Sequence, residues 1–120
     1  YAFVSVGLAM WAMALLGAFR VELAVHALAI GGIGAMMLAM MARVSLGHTG
    51  RAIRTLPGIG VGLALLFGGA LLRSPVLAMF PQVTHWTYNL SILFWCIAYL
   101  IFLFHYSVPL LSARVDGKEG

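Results

Sequence analysis

The side chains able to hold a metal or move a proton are few here, and they are set among apolar residues. Histidines stand at His26, His48, His85 and His105, a single cysteine at Cys96, and methionines cluster at Met36, Met37, Met40 and Met41. A neutral imidazole is a ligand for iron, copper or zinc. Two of them on different helices can supply both axial positions of a b-type haem, or part of a copper site. Thioethers suit Cu(I). At i, i+1, i+4 and i+5, however, these methionines cover a broad helix face and read as packing. The sequence contains no CxxCH, which excludes covalent c-type haem attachment. It also has no Ser-His-Asp set and no paired carboxylate, so hydrolytic acid/base or nucleophilic chemistry has no support and no soluble substrate is evident. Cys96 has no partner for an internal disulfide and reads as a small buried hydrophobe.

The elements that position these groups are membrane spans. Of the 120 residues, 63% are hydrophobic and only 8% are charged, whereas a soluble domain carries about 25% charged residues. The net charge of +4 is too sparse for a nucleic-acid footprint and reads as topology information. A hydrocarbon core of about 30 Å needs about 20 apolar residues. The chain supplies four such runs, at about 1–19, 23–42, 56–72 and 86–105. The fold class expected is therefore all-α and integral membrane: four antiparallel transmembrane helices with a short interfacial segment, 76–81, before the fourth. Residues 1–106 form the four-span domain and 107–120 a polar cytoplasmic tail. Residues 1–19 lack a basic n-region and are not read as a cleavable signal peptide.

Local signals fill in the connections. Arg20 and Glu22 pair across a very short link between spans one and two. Pro57 stands in the first turn of span three, where its missing N–H costs nothing. Gly58 and Gly62 form a GxxxG that permits close helix approach. Arg73-Ser74-Pro75 breaks the helix, Thr84 is placed to cap span four, and Pro109 ends regular structure. Arg43, Arg51, Arg54, Arg114 and Lys118 collect on one side of the membrane, against Arg20 and Arg73 on the other. The positive-inside rule puts the richer side, with both termini, in the cytoplasm.

This topology sorts the histidines into two pairs. His26 and His85 lie toward the outer side, His48 and His105 at the cytoplasmic face. Gly31, Gly32 and Gly34, close to His26, can leave a flat slot for a haem. Each histidine also has a plainer reading. His26 can bond a carbonyl or Glu22, and His85 beside Trp86 can be an interfacial residue. His48 can serve a turn that meets lipid headgroups, as Arg43, Arg51 and Arg54 can, and His105 beside Tyr106 can anchor a helix end.

The block His26-Ala27-Leu28, Gly31, Gly34, Met37, Met41-Ala42-Arg43 and Gly47-His48-Thr49-Gly50-Arg51 resembles the signature of NnrS-type membrane proteins. The ending Tyr106, Pro109, Leu111 and Arg114-Val115-Asp116-Gly117 is similar to that family's C-terminus, while spans three and four agree mainly in hydropathy and length. The resemblance implies a polytopic protein of the bacterial inner membrane that contains haem and copper, linked to denitrification and nitric-oxide tolerance. It carries over His26 and His48 as the leading functional histidines, with Arg51 beside the latter. On this reading the cofactor and metal candidates are His26, His85, His48 and Arg51. Family members are usually several times longer, so the chain corresponds to their C-terminal part, and ligands from the remainder or from another protein would be absent from it. A reading from a different class is a non-catalytic accessory subunit that packs against a larger membrane complex. A fragment of a transporter is a third, weakened by the lack of intramembrane carboxylates. Partners expected on the first two readings are the lipid bilayer and other membrane subunits.

Overall fold

The computed structural model describes residues 1–18, 20–54, 56–115 and 117. The expected end of span one at Phe19, the loop residue Thr55, the topology charge Lys118 and most of the far tail lie outside the described residues. Every regular element among the described residues is helical: α1 (Ala2–Leu15), α2 (Val21–His48), α3 (Ile59–Met79) and α4 (Pro81–Leu111). At 1.5 Å a residue, α2, α3 and α4 reach about 42, 31 and 46 Å, each enough for a hydrocarbon core of about 30 Å. These three helices are long and apolar enough to cross a membrane. The apolar α1 has 14 residues and reaches about 21 Å.

Several boundaries differ from the sequence expectation, each for a local reason. Span one stops at Leu15 because Gly17 adopts φ +76° and the N–H groups of Leu16, Gly17 and Ala18 fold back onto the Met13 and Ala14 carbonyls. Span two runs on past Ala42 to His48. Ser45 continues that helix by donating to the Met41 carbonyl at 2.7 Å, and Gly50, at φ +68°, ends it. Gly47 and His48 therefore belong to the last turn of α2, and only Thr49-Gly50-Arg51 forms the turn. Span three begins after Pro57, because Gly58 takes φ +87° as its N-terminal flanking residue.

The expected break at Arg73-Ser74-Pro75 does not occur. Residues Leu72–Val76 form a π-helical stretch and the helix continues to Met79. The wider π turn accommodates a proline that would otherwise clash with the preceding turn. Residues 76–79 are thus helix rather than an interfacial strap, and the direction changes at Phe80, at φ −131° and ψ 71°. Nor does Thr84 cap α4. Its hydroxyl donates to the Pro81 carbonyl within the first turn, and no side chain caps that end. Pro109 is carried inside α4, which ends at Leu111.

Small residues set the packing. Along α3, Gly62 and Gly69 approach α4 so closely that a β-carbon on either would lie 3.3 Å from the Ala98 or Ser91 carbonyl oxygen. The same glycine-rich logic seats α1 on α2, with Gly7 against Leu28 and Val4 against Gly32. One core, around Leu38, Leu66, Ala98, Phe102 and Tyr106, joins α2, α3 and α4. A second, of Met10, Leu23, Ala24 and Leu77, gathers α1, the start of α2 and the end of α3. Ser74 ties this second core together by donating to the Leu23 carbonyl at 2.8 Å, with Met10 Sδ 3.2 Å from the same hydroxyl.

Candidate functional site

His26 is the last residue of regular α-helix in α2 before a second π-helical stretch, Ala27–Gly34. The Ala-Gly composition of that stretch offers little side-chain bulk against a widened turn, and such turns are frequent at functional sites. The π stretch of α3 presents Arg73 to the same place. Together His26, Ile30, Arg73, Ser91, Ile92 and Trp95 line a cavity of about 260 Å³. Helix α4 adds Tyr88, whose ring meets the His26 imidazole edge-on at 6.1 Å and carries the Arg73 guanidinium on its face, with Cζ 4.2 Å from the ring centroid. Such a cation–π contact holds the guanidinium plane over the ring.

Two polar atoms at this junction lack a partner. Nδ1 of His26 and Nε of Arg73 are buried and make no hydrogen bond among the described residues. Buried polar groups are normally paired, because desolvation without a hydrogen bond is costly. Ser91 bonds neither of them; its hydroxyl donates to the Gly69 carbonyl at 3.0 Å. Glu22, the one acidic side chain among the described residues, pairs with Arg20 at 3.4 Å. That pairing is the one expected for the link between spans one and two.

The other candidate residues lie elsewhere. His85 is exposed one turn before Tyr88, with Nε2 3.2 Å from Asn89 Nδ2 and its ring edge-on to Trp86. His48 is exposed at the end of α2. Arg51 donates from Nη1 to the Pro109 carbonyl at 3.1 Å, which fastens the turn after α2 to the end of α4. His105 packs where a β-carbon on Gly58 would fall, 2.8 Å from its Nε2. Among the described residues no three of the His, Cys, Asp and Glu side chains gather as a metal set.

The expected haem slot beside Gly31, Gly32 and Gly34 is filled. Phe3 and Ala70 pack onto Gly31, Val4 onto Gly32, and the Tyr99 hydroxyl donates to the Gly34 carbonyl at 3.3 Å. The space near His26 opens instead toward α3 and α4. Met36, Met37 and Met40 are more than half exposed and share no point with a histidine, and Cys96 is exposed rather than buried. What the residue pattern missed is Arg73 with Tyr88. A lone arginine after a run of apolar residues carried the signal, but the adjoining Ser-Pro pointed to a loop, and a loop arginine needs no partner.

Comparison with curated proteins and with solved structures returns no match. The profile of the family described as NnrS protein matches residues 1–114, nearly the whole chain, with spans three and four and the first block included and the second block up to Arg114, and the chain belongs to that family.

Proposed function

We propose that this chain is a haem- or copper-binding component of the bacterial cytoplasmic membrane, of the NnrS type, acting in nitric-oxide response or denitrification-linked redox. Family membership supports the class, and the unpartnered Nδ1 of His26 beside a cavity is the observation that carries the site. Fit can be judged residue by residue. His26 suits the role of one ligand, because an imidazole with a free ring nitrogen is a donor in search of an acceptor or a metal. Neither His85 nor His48 shares its cavity, so the remaining ligands come from other segments of the protein or from another subunit. When bound there, haem b or copper supplies one-electron chemistry and a coordination position for a small diatomic ligand. The chain's own part is to fix the imidazole through α2, to hold its ring against Tyr88, and to screen it with Ile30, Ile92 and Trp95. In the same reading all four helices, α1 included, lie in the bilayer as antiparallel neighbours, with the turn after α2 and the C-terminal end in the cytoplasm.

A reduced-minus-oxidised absorption spectrum of the detergent-purified protein, with metal analysis on the same sample, tests the proposal. A b-type signal or stoichiometric copper is expected, and His26→Ala should lose at least nine-tenths of it. Pigment retained in that variant with an unchanged spectrum would remove His26 from the ligand set. A folded preparation without colour or metal would favour the accessory-subunit reading, which the single unpartnered histidine also suits.

A further inference from the structure

The cavity at His26 holds two basic side chains and no acidic one. Arg73 is fixed on its face by Tyr88, and a guanidinium held that way keeps its N–H groups in its own plane, as the fork that matches a planar acceptor. Among the described residues its Nε is buried without a hydrogen-bond partner, and so is Nδ1 of His26 in the neighbouring side chain. Both side chains line the same space, and the walls beside them are Ile30, Ile92 and Trp95. A cationic group inside an apolar segment is expensive and is ordinarily offset by a counter-charge. Among the described residues Glu22 is the one acidic side chain, and it is engaged by Arg20. No described acidic side chain therefore supplies a counter-charge to Arg73.

We infer that this cavity is a carboxylate receptor, with Arg73 as the fork, His26 as a second donor and Tyr88 as the platform that orients the fork. A carboxylate has two oxygens, and one guanidinium edge with one imidazole N–H satisfies them. A phosphate brings more oxygens and a heavier hydration shell than these donors can replace. The volume, about 260 Å³, falls below the range of about 300–1,000 Å³ that drug-sized molecules occupy. It suits a small free carboxylate, or the carboxylate end of a larger amphiphile or prosthetic group whose body lies outside. The inference shares its location with the proposed metal site and is stated of the metal-free chain, because Nδ1 of His26 cannot ligate a metal and donate to a carboxylate at once.

The test uses the full chain purified without pigment, titrated calorimetrically with sodium acetate, alongside mass spectrometry of whatever carboxylate-bearing molecules co-extract with it. Saturable acetate binding that weakens at least tenfold in Arg73→Gln, the loss of one charge-assisted pair, supports a receptor for free carboxylates. Stoichiometric co-extraction of a carboxylate amphiphile that Arg73→Gln abolishes supports a tethered source. Arg73→Gln takes a charge out of an apolar helix, so its fold is expected to persist, and unchanged helical circular dichroism checks this. Arg73→Lys keeps the charge and loses the fork, and should bind several-fold more weakly than wild type. Equal binding by Arg73→Gln, no carboxylate from either source, or inorganic phosphate binding as tightly as acetate would each overturn the inference. Failure here leaves the spectrum of His26 variants untouched, and the reverse holds as well.

Discussion

At the residue scale, Gly58 shows how one backbone angle joins two helices. It stands at φ +87° at the start of α3, and a β-carbon there would sit 2.8 Å from His105 Nε2 and 2.9 Å from Ile101 Cγ2. Two penalties coincide: the left-handed conformation costs a non-glycine residue about 1–3 kcal/mol, and the imidazole and the isoleucine must both give way. Gly58→Ala should therefore lower stability by about 2 kcal/mol or more, read as a lower midpoint in a detergent-denaturation titration. A midpoint equal to wild type would show that the turn and His105 rearrange freely. The same scale shows what could be read from residue types. His26 stands out in the sequence because an imidazole near the end of an apolar run must find a partner, and the structure gives it a cavity. Arg73 did not stand out, because its significance depends on Tyr88, fifteen positions later and on another helix. No spacing rule connects the two. The expected haem slot failed for a related reason: glycines make room, but the sequence does not say that Phe3, Val4 and Ala70 fill it.

At the element scale, α3 meets α4 through a row of small residues. Gly62 approaches the Ala98 carbonyl and Gly69 the Ser91 carbonyl, whereas a β-carbon on Gly60 would meet, among the described residues, nothing beyond its own stretch of helix within 4 Å. These glycines differ in environment but not in type, so they make a controlled comparison. Gly62→Leu must separate the helices and should cost about 1–3 kcal/mol. Gly60→Leu fills open space and should stay within about 0.5 kcal/mol of wild type. Equal effects in the same denaturation assay would mean that helix contact does not depend on this row. The GxxxG pattern announced close approach correctly for Gly62, but Gly58 serves the turn instead. The helices themselves were legible from hydropathy because apolar runs of span length admit few alternatives. Their ends were not. Proline at 75 is absorbed by a π turn and proline at 109 by the last turns of α4, and both outcomes rest on backbone hydrogen bonds that residue types do not encode.

At the scale of the whole molecule, orientation follows from where the charges stand relative to the helices. With Arg73 inside α3 rather than in a loop, the side that holds the start of α2 and the link between α3 and α4 keeps Arg20 alone, where Glu22 accompanies it. The other side keeps Arg51, Arg54 and Arg114 among the described residues, Arg43 lying inside α2 as Arg73 lies inside α3. On the positive-inside rule this imbalance is the ground for the proposed orientation, in which the turn after α2 is expected in the cytoplasm. The proposed orientation would set His26 and Arg73 toward the outer side, about 8–9 Å along their helices from the ends at Val21 and Met79, and a ligand arriving from that side would then reach the cavity. Single substitutions Ala52→Cys and Gln82→Cys, both at exposed positions, report on it. A membrane-impermeant maleimide applied to spheroplasts should label Gln82→Cys and spare Ala52→Cys, which becomes reactive only after lysis. The native Cys96 serves as an internal reference. It is exposed on α4, fifteen residues past the start of that helix at Pro81, so in the bilayer it is expected to face lipid and stay unlabelled until detergent is added. Labelling of Ala52→Cys in intact spheroplasts would invert the orientation and send the cavity to the cytoplasmic side, while early labelling of Cys96 would show that another protein or a water-filled space, not lipid, lies against α4.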